Sequence, residues 1–97
     1  MARAIVLHAE DNVATLVDPG RKGEEVQLSG KGQGVAVLAA DVPFGHKLAT
    51  RAIARGEPII KYGKTIGSAT GAIAAGEHVH VHNVEALRAR GDKREAS

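Results

Sequence analysis

The sequence predicts one small, mostly-β domain, and three observations carry that prediction. The chain has 97 residues, enough for a single core and no more. Its apolar residues come in short runs broken by Gly, Pro, Asp and Asn, the pattern of short strands joined by turns. Before Val84, no stretch keeps a helical period of 3.6 residues over the roughly 11 positions that an amphipathic helix needs.

The elements follow in order. Ala4 to Leu7 reads as a first strand and Val13 to Val17 as a second, closed by the turn sequence Asp18-Pro19-Gly20. Glu25 to Leu28 alternates weakly and reads as a third strand. Gly30-Lys31-Gly32-Gln33-Gly34 is a flexible tip, and Val35 to Ala39 a fourth strand. A repeat then sets in. Ala52-Ile53-Ala54-Arg55-Gly56-Glu57 recurs 20 residues later as Ala72-Ile73-Ala74-Ala75-Gly76-Glu77, with a fainter echo in Gly23-Glu24-Glu25-Val26. Each copy reads as a one-turn helix ended by a left-handed Gly and feeding a strand. Two clear copies are fewer than the roughly three that a solenoid needs, so the unit is a corner of a small β domain. Lys61 to Gly67 reads as a tight hairpin turn. Val84 to Ser97 has helix formers but few apolar anchors and reads as a short frayed tail. The expected organisation is a domain over 1–83 and a tail over 84–97.

Composition excludes several functions. With no Cys, disulfides, iron–sulfur clusters and thiolate zinc sites are out. An aromatic fraction of 2% gives no stacking platform for single-stranded nucleic acid. The net charge of +2 is divided equally between the body and the stretch from Val84, so no basic face for nucleic acid is expected. No apolar run approaches the roughly 20 residues of a membrane span. A cytoplasmic protein without nucleic-acid or membrane partners is the expectation.

Two motifs carry chemistry-bearing residues. In His78-Val79-His80-Val81-His82-Asn83 a regular strand puts all three imidazoles on one face and sends Val79 and Val81 into the core. Successive His would then lie about 6.6 Å apart and the outer pair about 13 Å. Metal–nitrogen bonds are about 2.0–2.1 Å, so one ion can take at most two of them. His46 is the natural third ligand, with Asp11 or Glu10 as oxygen donors. The same pattern also fits a solvated face of a half-buried strand. In Pro43-Phe44-Gly45-His46-Lys47 a turn is followed at once by an imidazole and an ammonium, which can meet an anionic ligand or merely end a turn. Gly30, Gly32 and Gly34 lack dinucleotide-fingerprint spacing, and Gly63, Gly67 and Gly71 lie outside any apolar 20-mer.

Taken in order, these motifs form a resemblance. Val42-Pro43-Phe44-Gly45-His46-Lys47-Leu48-Ala49, Ile60-Lys61-Tyr62-Gly63 with Ile66-Gly67, and Gly76-Glu77-His78-Val79-His80-Val81-His82-Asn83 resemble the small N-terminal domain of the altronate/galactarate dehydratase family. The opening Leu7-His8 with Asp11-Asn12-Val13-Ala14 is similar as well. The resemblance implies an SAF-like β-clip fold and membership of a hydro-lyase. Such an enzyme removes water from an aldonate or aldarate such as altronate. It implies a divalent metal, iron(II) or manganese(II), held mainly by a large catalytic partner subunit, with the sugar acid as small-molecule ligand. A homo-oligomer is a further expectation.

By the same resemblance, His46, Lys47 and His80 are the catalytic candidates. Asn12, His82 and Asn83 are the substrate-binding candidates, Asn83 also fixing the strand end. His78, His80 and His82 are the metal candidates, with His78 expected to pack or cap after the Gly76-Glu77 corner. A sister group, the sulfolactate sulfo-lyases, uses a similar small subunit to eliminate sulfite. The competing readings are a binding module without chemistry and an autonomous metal-binding β protein.

Overall fold

The computed structural model describes residues 1–86 and builds them from nine strands in two sheets, with no helix among the described residues. β1 (Ala2–Val6) alternates buried and exposed residues, pointing Ala2, Ala4 and Val6 inward and Arg3 and Ile5 outward, as a period of two requires. β2 (Val13–Leu16) pairs with it antiparallel and β3 (Glu25–Gly30) pairs parallel on its other side. β4 (Gly34–Val37) closes a hairpin with β3 and forms the outer edge. β5 (Lys47–Ala49) pairs with β2. A second sheet holds β6 (Pro58–Lys61) and β7 (Lys64–Ala69). β8 (His78–Val79) returns to the first sheet beside β5, and β9 (Val84–Ala86) completes the second beside β7. The orders are β4-β3-β1-β2-β5-β8 and β6-β7-β9.

β2 and β5 are buried on both faces, and consecutive residues feed different cores. Ala14, Leu16 and Leu48 pack with Ala2, Ala4, Val6, Val26, Leu38 and Val42. Val13 and Ala49 face the other way, packing with Ile53, Ile59, Ala69, Ile73 and Val79. Each fully buried Leu or Ile contributes roughly 1.5–3 kcal/mol of transfer free energy.

One corner is used four times. Residues 20–24, 42–46, 53–57 and 73–77 share it: a bridging residue, two turn residues, a glycine at φ 81–87°, then the residue that enters the next strand. In each, the last N–H donates to the carbonyl three residues back, as in Glu77 to Ala74 at 3.1 Å and His46 to Pro43 at 3.1 Å. A positive φ at the third turn position is what selects glycine. At Gly76 a side chain would also run into the Val37 carbonyl. The glycine N–H groups donate to distant strands, Gly45 to Leu16 and Gly76 to Ala49. The corners join in pairs through the bridges Gly20–Val42 and Ile53–Ile73. The predicted one-turn helices at 52–57 and 72–77 are therefore turns. Their glycine comes too early for any helical ladder to form.

Asp11 and Asn12 join the two sheets. Asn12 is fully buried; its Oδ1 accepts from Ile60 N–H at 2.8 Å and its Nδ2 donates to Pro58 C=O at 2.8 Å. The Asp11 carboxylate accepts from Tyr62 and Gly63 N–H at 3.1 and 2.8 Å. These N–H groups sit in the β6–β7 turn, where Tyr62 and Gly63 both have positive φ, 59° and 71°, the geometry of a primed hairpin turn. The predicted hairpin at 61–67 is thus a two-residue turn, with residues 64–67 already in β7.

The expected boundary at Asn83 shifts as well. Val84–Ala86 pair with Ala69, Ser68 and Gly67, so the domain's strands run to Ala86 because β7 offers an open edge there. The remainder of the predicted tail, 87–97, lies outside the described residues.

Removing the Asn12 amide strands the Ile60 N–H and the Pro58 carbonyl in a buried joint. Asn12→Ala is expected to lower unfolding free energy by about 2–4 kcal/mol, since each stranded group costs roughly 1–3 kcal/mol. Urea denaturation measures this. Glu10→Ala, two residues away and exposed, should stay within about 0.5 kcal/mol.

Candidate functional site

Three of the four corners carry Glu after the glycine. The carboxylate bends back onto the backbone N–H at the start of its own turn: Glu24 to Arg21 at 3.0 Å, Glu57 to Ala54 at 2.9 Å and Glu77 to Ala74 at 3.0 Å. In the remaining corner the place of that N–H is taken by Pro43, which has none to satisfy. A carboxylate would have no structural task there, and the position holds His46 instead. A place that is structural elsewhere in the chain is thereby left open to an imidazole.

His46 meets the histidines of the last corner. Antiparallel pairing of β5 with β8 sets Leu48 opposite His78 and Lys47 opposite Val79. His46 Nδ1 lies 2.9 Å from His78 Nε2, within hydrogen-bond range once one of the two carries the shared proton. His80 stacks on His46 with ring centroids 4.2 Å apart and on His78 at 5.3 Å. All three are half-buried, and each offers a ring nitrogen within 4.8 Å of the others'.

The strand predicted from His78 through His82 ends at Val79. Residues 80–83 turn, and Asn83 holds the turn: its Oδ1 accepts from His80 N–H at 2.9 Å and its Nδ2 donates to the His78 carbonyl at 2.9 Å. This folds His80 back over His78. Val81, expected in the core, is 81% exposed. His82 is exposed and meets the His78 ring at 5.4 Å between centroids.

The predicted roles are redistributed accordingly. His46, Lys47 and His80 do converge. Of the metal candidates, His78 and His80 join His46 in the cluster, His78 doing so from the position where it was expected to pack or cap, and His82 is peripheral to it. Asn83 bonds backbone groups through both ends of its amide, and the fully buried Asn12 does the same at the sheet joint. Asp11 is bound to the β6–β7 turn and is no oxygen donor to the imidazoles, nor is Glu10 part of their cluster.

Lys47 is half-buried beside them and lines, with Ile66, His80, Val81, Val84 and Ala86, a shallow cavity of about 200 Å³. Burial, followed by the charge of Lys61, lowers the Lys47 ammonium from its usual value. Burial is also the first cause lowering His78 and His80, followed for both by the charge of His46. His82 and Lys47 add to the effect on each, and His80 adds to that on His78.

The donor set tests which metal the residues suit. Imidazoles without thiolate or carboxylate fit iron(II), zinc(II), cobalt(II) or nickel(II); manganese(II), which prefers carboxylate and water, is a poor match. Three donors leave positions open for oxygen ligands.

Two outcomes follow from this geometry. With His78 and His80 held below the ordinary 6.5, the unfolded chain binds more protons than the folded one near that pH. Their contribution is intact above about pH 7 and is lost as pH falls through the unfolded value. The melting temperature should drop between pH 7 and pH 5.5, and His78→Gln should flatten that slope. An unchanged slope would contradict it. A double-mutant cycle tests the corner: His46→Glu should be about 1 kcal/mol more favourable combined with Pro43→Ala than alone, the worth of a capping hydrogen bond.

A family model described as the altronate/galactarate dehydratase SAF domain matches residues 2–87. The chain is 46% identical to an altronate dehydratase of Escherichia coli K12 over 79 residues, 81% of this chain and 15% of that protein. It is 37% identical to an altronate dehydratase of Bacillus subtilis 168 over 86 residues, 88% of this chain and 16% of that protein. Subunit alpha of a (2R)-sulfolactate sulfo-lyase from Chromohalobacter salexigens is 53% identical over 47 residues, 48% of this chain and 50% of that protein. The chain thus spans about a sixth of the altronate dehydratases it matches. No helix among the described residues is long and apolar enough to cross a membrane. By its sequence match from residue 2 to 87, the chain belongs to the SAF-domain family of the altronate and galactarate dehydratases.

Proposed function

We propose that this chain serves as the small, SAF-domain component of a hydro-lyase that removes water from an aldonate or aldarate such as altronate. The observation that carries the reading is the convergence of His46, Lys47 and His80 beside an open cavity of about 200 Å³. A ligand pocket measures roughly 300–1,000 Å³ and encloses most of its ligand. This site is therefore half of one, to be closed by a larger catalytic subunit. The naming of the sulfo-lyase relatives as subunit alpha supports such a division.

The elimination requires a base for the proton beside the carboxylate, charge stabilisation for the enediolate and a proton for the leaving oxygen. Lys47 is suited to hold the substrate carboxylate, because its partly desolvated ammonium gains most from an anionic partner. His46 and His80 would assist the leaving oxygen as proton donors. Iron(II) or manganese(II), held mainly by the large subunit, would supply Lewis-acid stabilisation of the enediolate. Phe44 is 67% exposed two residues before His46, and Val81 directly follows His80. Both are apolar groups suited to the subunit contact. A second reading, elimination of sulfite from sulfolactate, is favoured by the 53% identity to the sulfo-lyase subunit.

Co-expression with a large subunit and assay of 2-keto-3-deoxy acid formation on aldonates and aldarates, with sulfite release from sulfolactate alongside, tests both. The chain alone should show no turnover. In the complex, His46→Ala, Lys47→Ala and His80→Ala should each lower kcat by about 10²-fold or more. Wild-type turnover in both His46→Ala and His80→Ala would leave a binding module without chemistry.

A further inference from the structure

We infer that His46, His78 and His80 form a binding site for one divalent transition metal within this chain, separate from the ion proposed for the large subunit. The convergence is built, not incidental. His46 directly precedes β5, His78 opens β8 on the neighbouring position of the sheet, and His80 is folded back by the Asn83 turn. On a regular strand His78 and His80 would stand about 6.6 Å apart with parallel side chains; the turn brings their rings to 5.3 Å and over His46.

The distances suit an ion. His46 Nδ1 and His78 Nε2 are 2.9 Å apart. Two nitrogens so placed, each about 2.0–2.1 Å from one ion, subtend about 90°. That is an octahedral angle between neighbouring ligands, and opening the pair by a few tenths of an ångström, to about 3.4 Å, gives the tetrahedral one. The His80 nitrogen lies within 4.8 Å of both, and rotation of its side chain closes the remainder. No Asp or Glu belongs to the cluster among the described residues, so no ion pair accounts for three imidazoles meeting beside the Lys47 ammonium. Metal coordination does account for it, since neutral imidazole is the ligand form. Asn83, holding the backbone of both His78 and His80, acts as the positioning residue.

The site itself does not depend on the lyase reading. Only its consequence there rests on that reading: His46 and His80 would meet substrate oxygen as ligands of an ion, not as free proton donors.

The test is cobalt(II) titration of the untagged full-length chain in metal-free buffer, followed by visible absorption, with zinc(II) as competitor. A single equivalent of cobalt should bind and give ligand-field bands that zinc abolishes. The affinity should fall at least about 10-fold in His46→Ala, His78→Ala and His80→Ala, with circular dichroism confirming that each variant is folded. His8→Ala, which removes an imidazole outside the cluster, should retain the wild-type affinity. X-ray absorption of the cobalt form should count three imidazole nitrogens. Absence of a stoichiometric site, or equal losses in His8→Ala and His78→Ala, would overturn the proposal. Dehydratase assays of the reconstituted complex report separately on the lyase reading. Cobalt binding without turnover leaves the metal site standing and removes the lyase, and turnover without cobalt binding does the reverse.

Discussion

The left-handed glycine corner is the constraint on which the rest of this structure depends. A chain of short strands must reverse or cross over every few residues, and each reversal leaves backbone groups that need partners. Here one four-residue turn answers the need at four corners. Its glycine N–H reaches across to another strand, and the residue just before the turn bridges to a second corner. Gly45 N–H ties its corner to Leu16 at 2.9 Å and Gly76 N–H ties its own to Ala49 at 2.8 Å. Those bonds fix where β5 and β8 begin. Since His46 precedes β5 and His78 opens β8, the corners set the imidazole separation before any side-chain interaction contributes.

The corner also explains why this site stands where it does. The Glu that follows the glycine elsewhere is part of the turn, accepting from a backbone N–H that would otherwise be idle. Proline at the head of one corner removes that N–H and with it the reason for the carboxylate. The exchange of Glu for His46 therefore costs the fold little. At the last corner the Glu is retained as Glu77, and the next residue, His78, supplies the imidazole. Two registers of the same motif, offset by one residue, thus aim their side chains at one another across the β5–β8 pair.

This logic sets how much could be read from the sequence. The repeat at Gly56 and Gly76 was legible because both copies keep Ala-Ile-Ala before the glycine and Glu after it. Its members at Gly23 and Gly45 were faint or hidden. Backbone geometry, not residue identity, makes them equivalent, and Pro43 and His46 erase the identity altogether. Mistaking the turn for a helical one had the same source, since a glycine after two small residues suits either. The period-2 reading of His78 to His82 failed after Val79 because alternation says nothing about where a strand stops. Asn83 was visible as the stop, but the fold-back of His80 that it causes depends on bonds to two backbone groups at once. The structural task of Asn12 was hidden for a related reason. A polar side chain near an imidazole motif suggests a ligand, whereas burial makes this one a joint between sheets.

The division between joint and site has a consequence for how the domain works. Asp11, Asn12 and Asn83 carry the hydrogen bonds that hold sheets and turns together, each with its side chain committed to backbone. His46, Lys47, His78 and His80 carry no such burden; they are half-buried and placed by the backbone around them. The imidazoles and the ammonium crowd cationic groups together without a carboxylate among them, an arrangement that raises the free energy of the empty domain whenever the groups are protonated. Folding gains nothing from it. On the functional reading proposed above, a substrate carboxylate beside Lys47 would offset that crowding, and neutral imidazoles would be left to hold a metal ion. The face on which either would bind is set by corners whose geometry was already required to build the sheets.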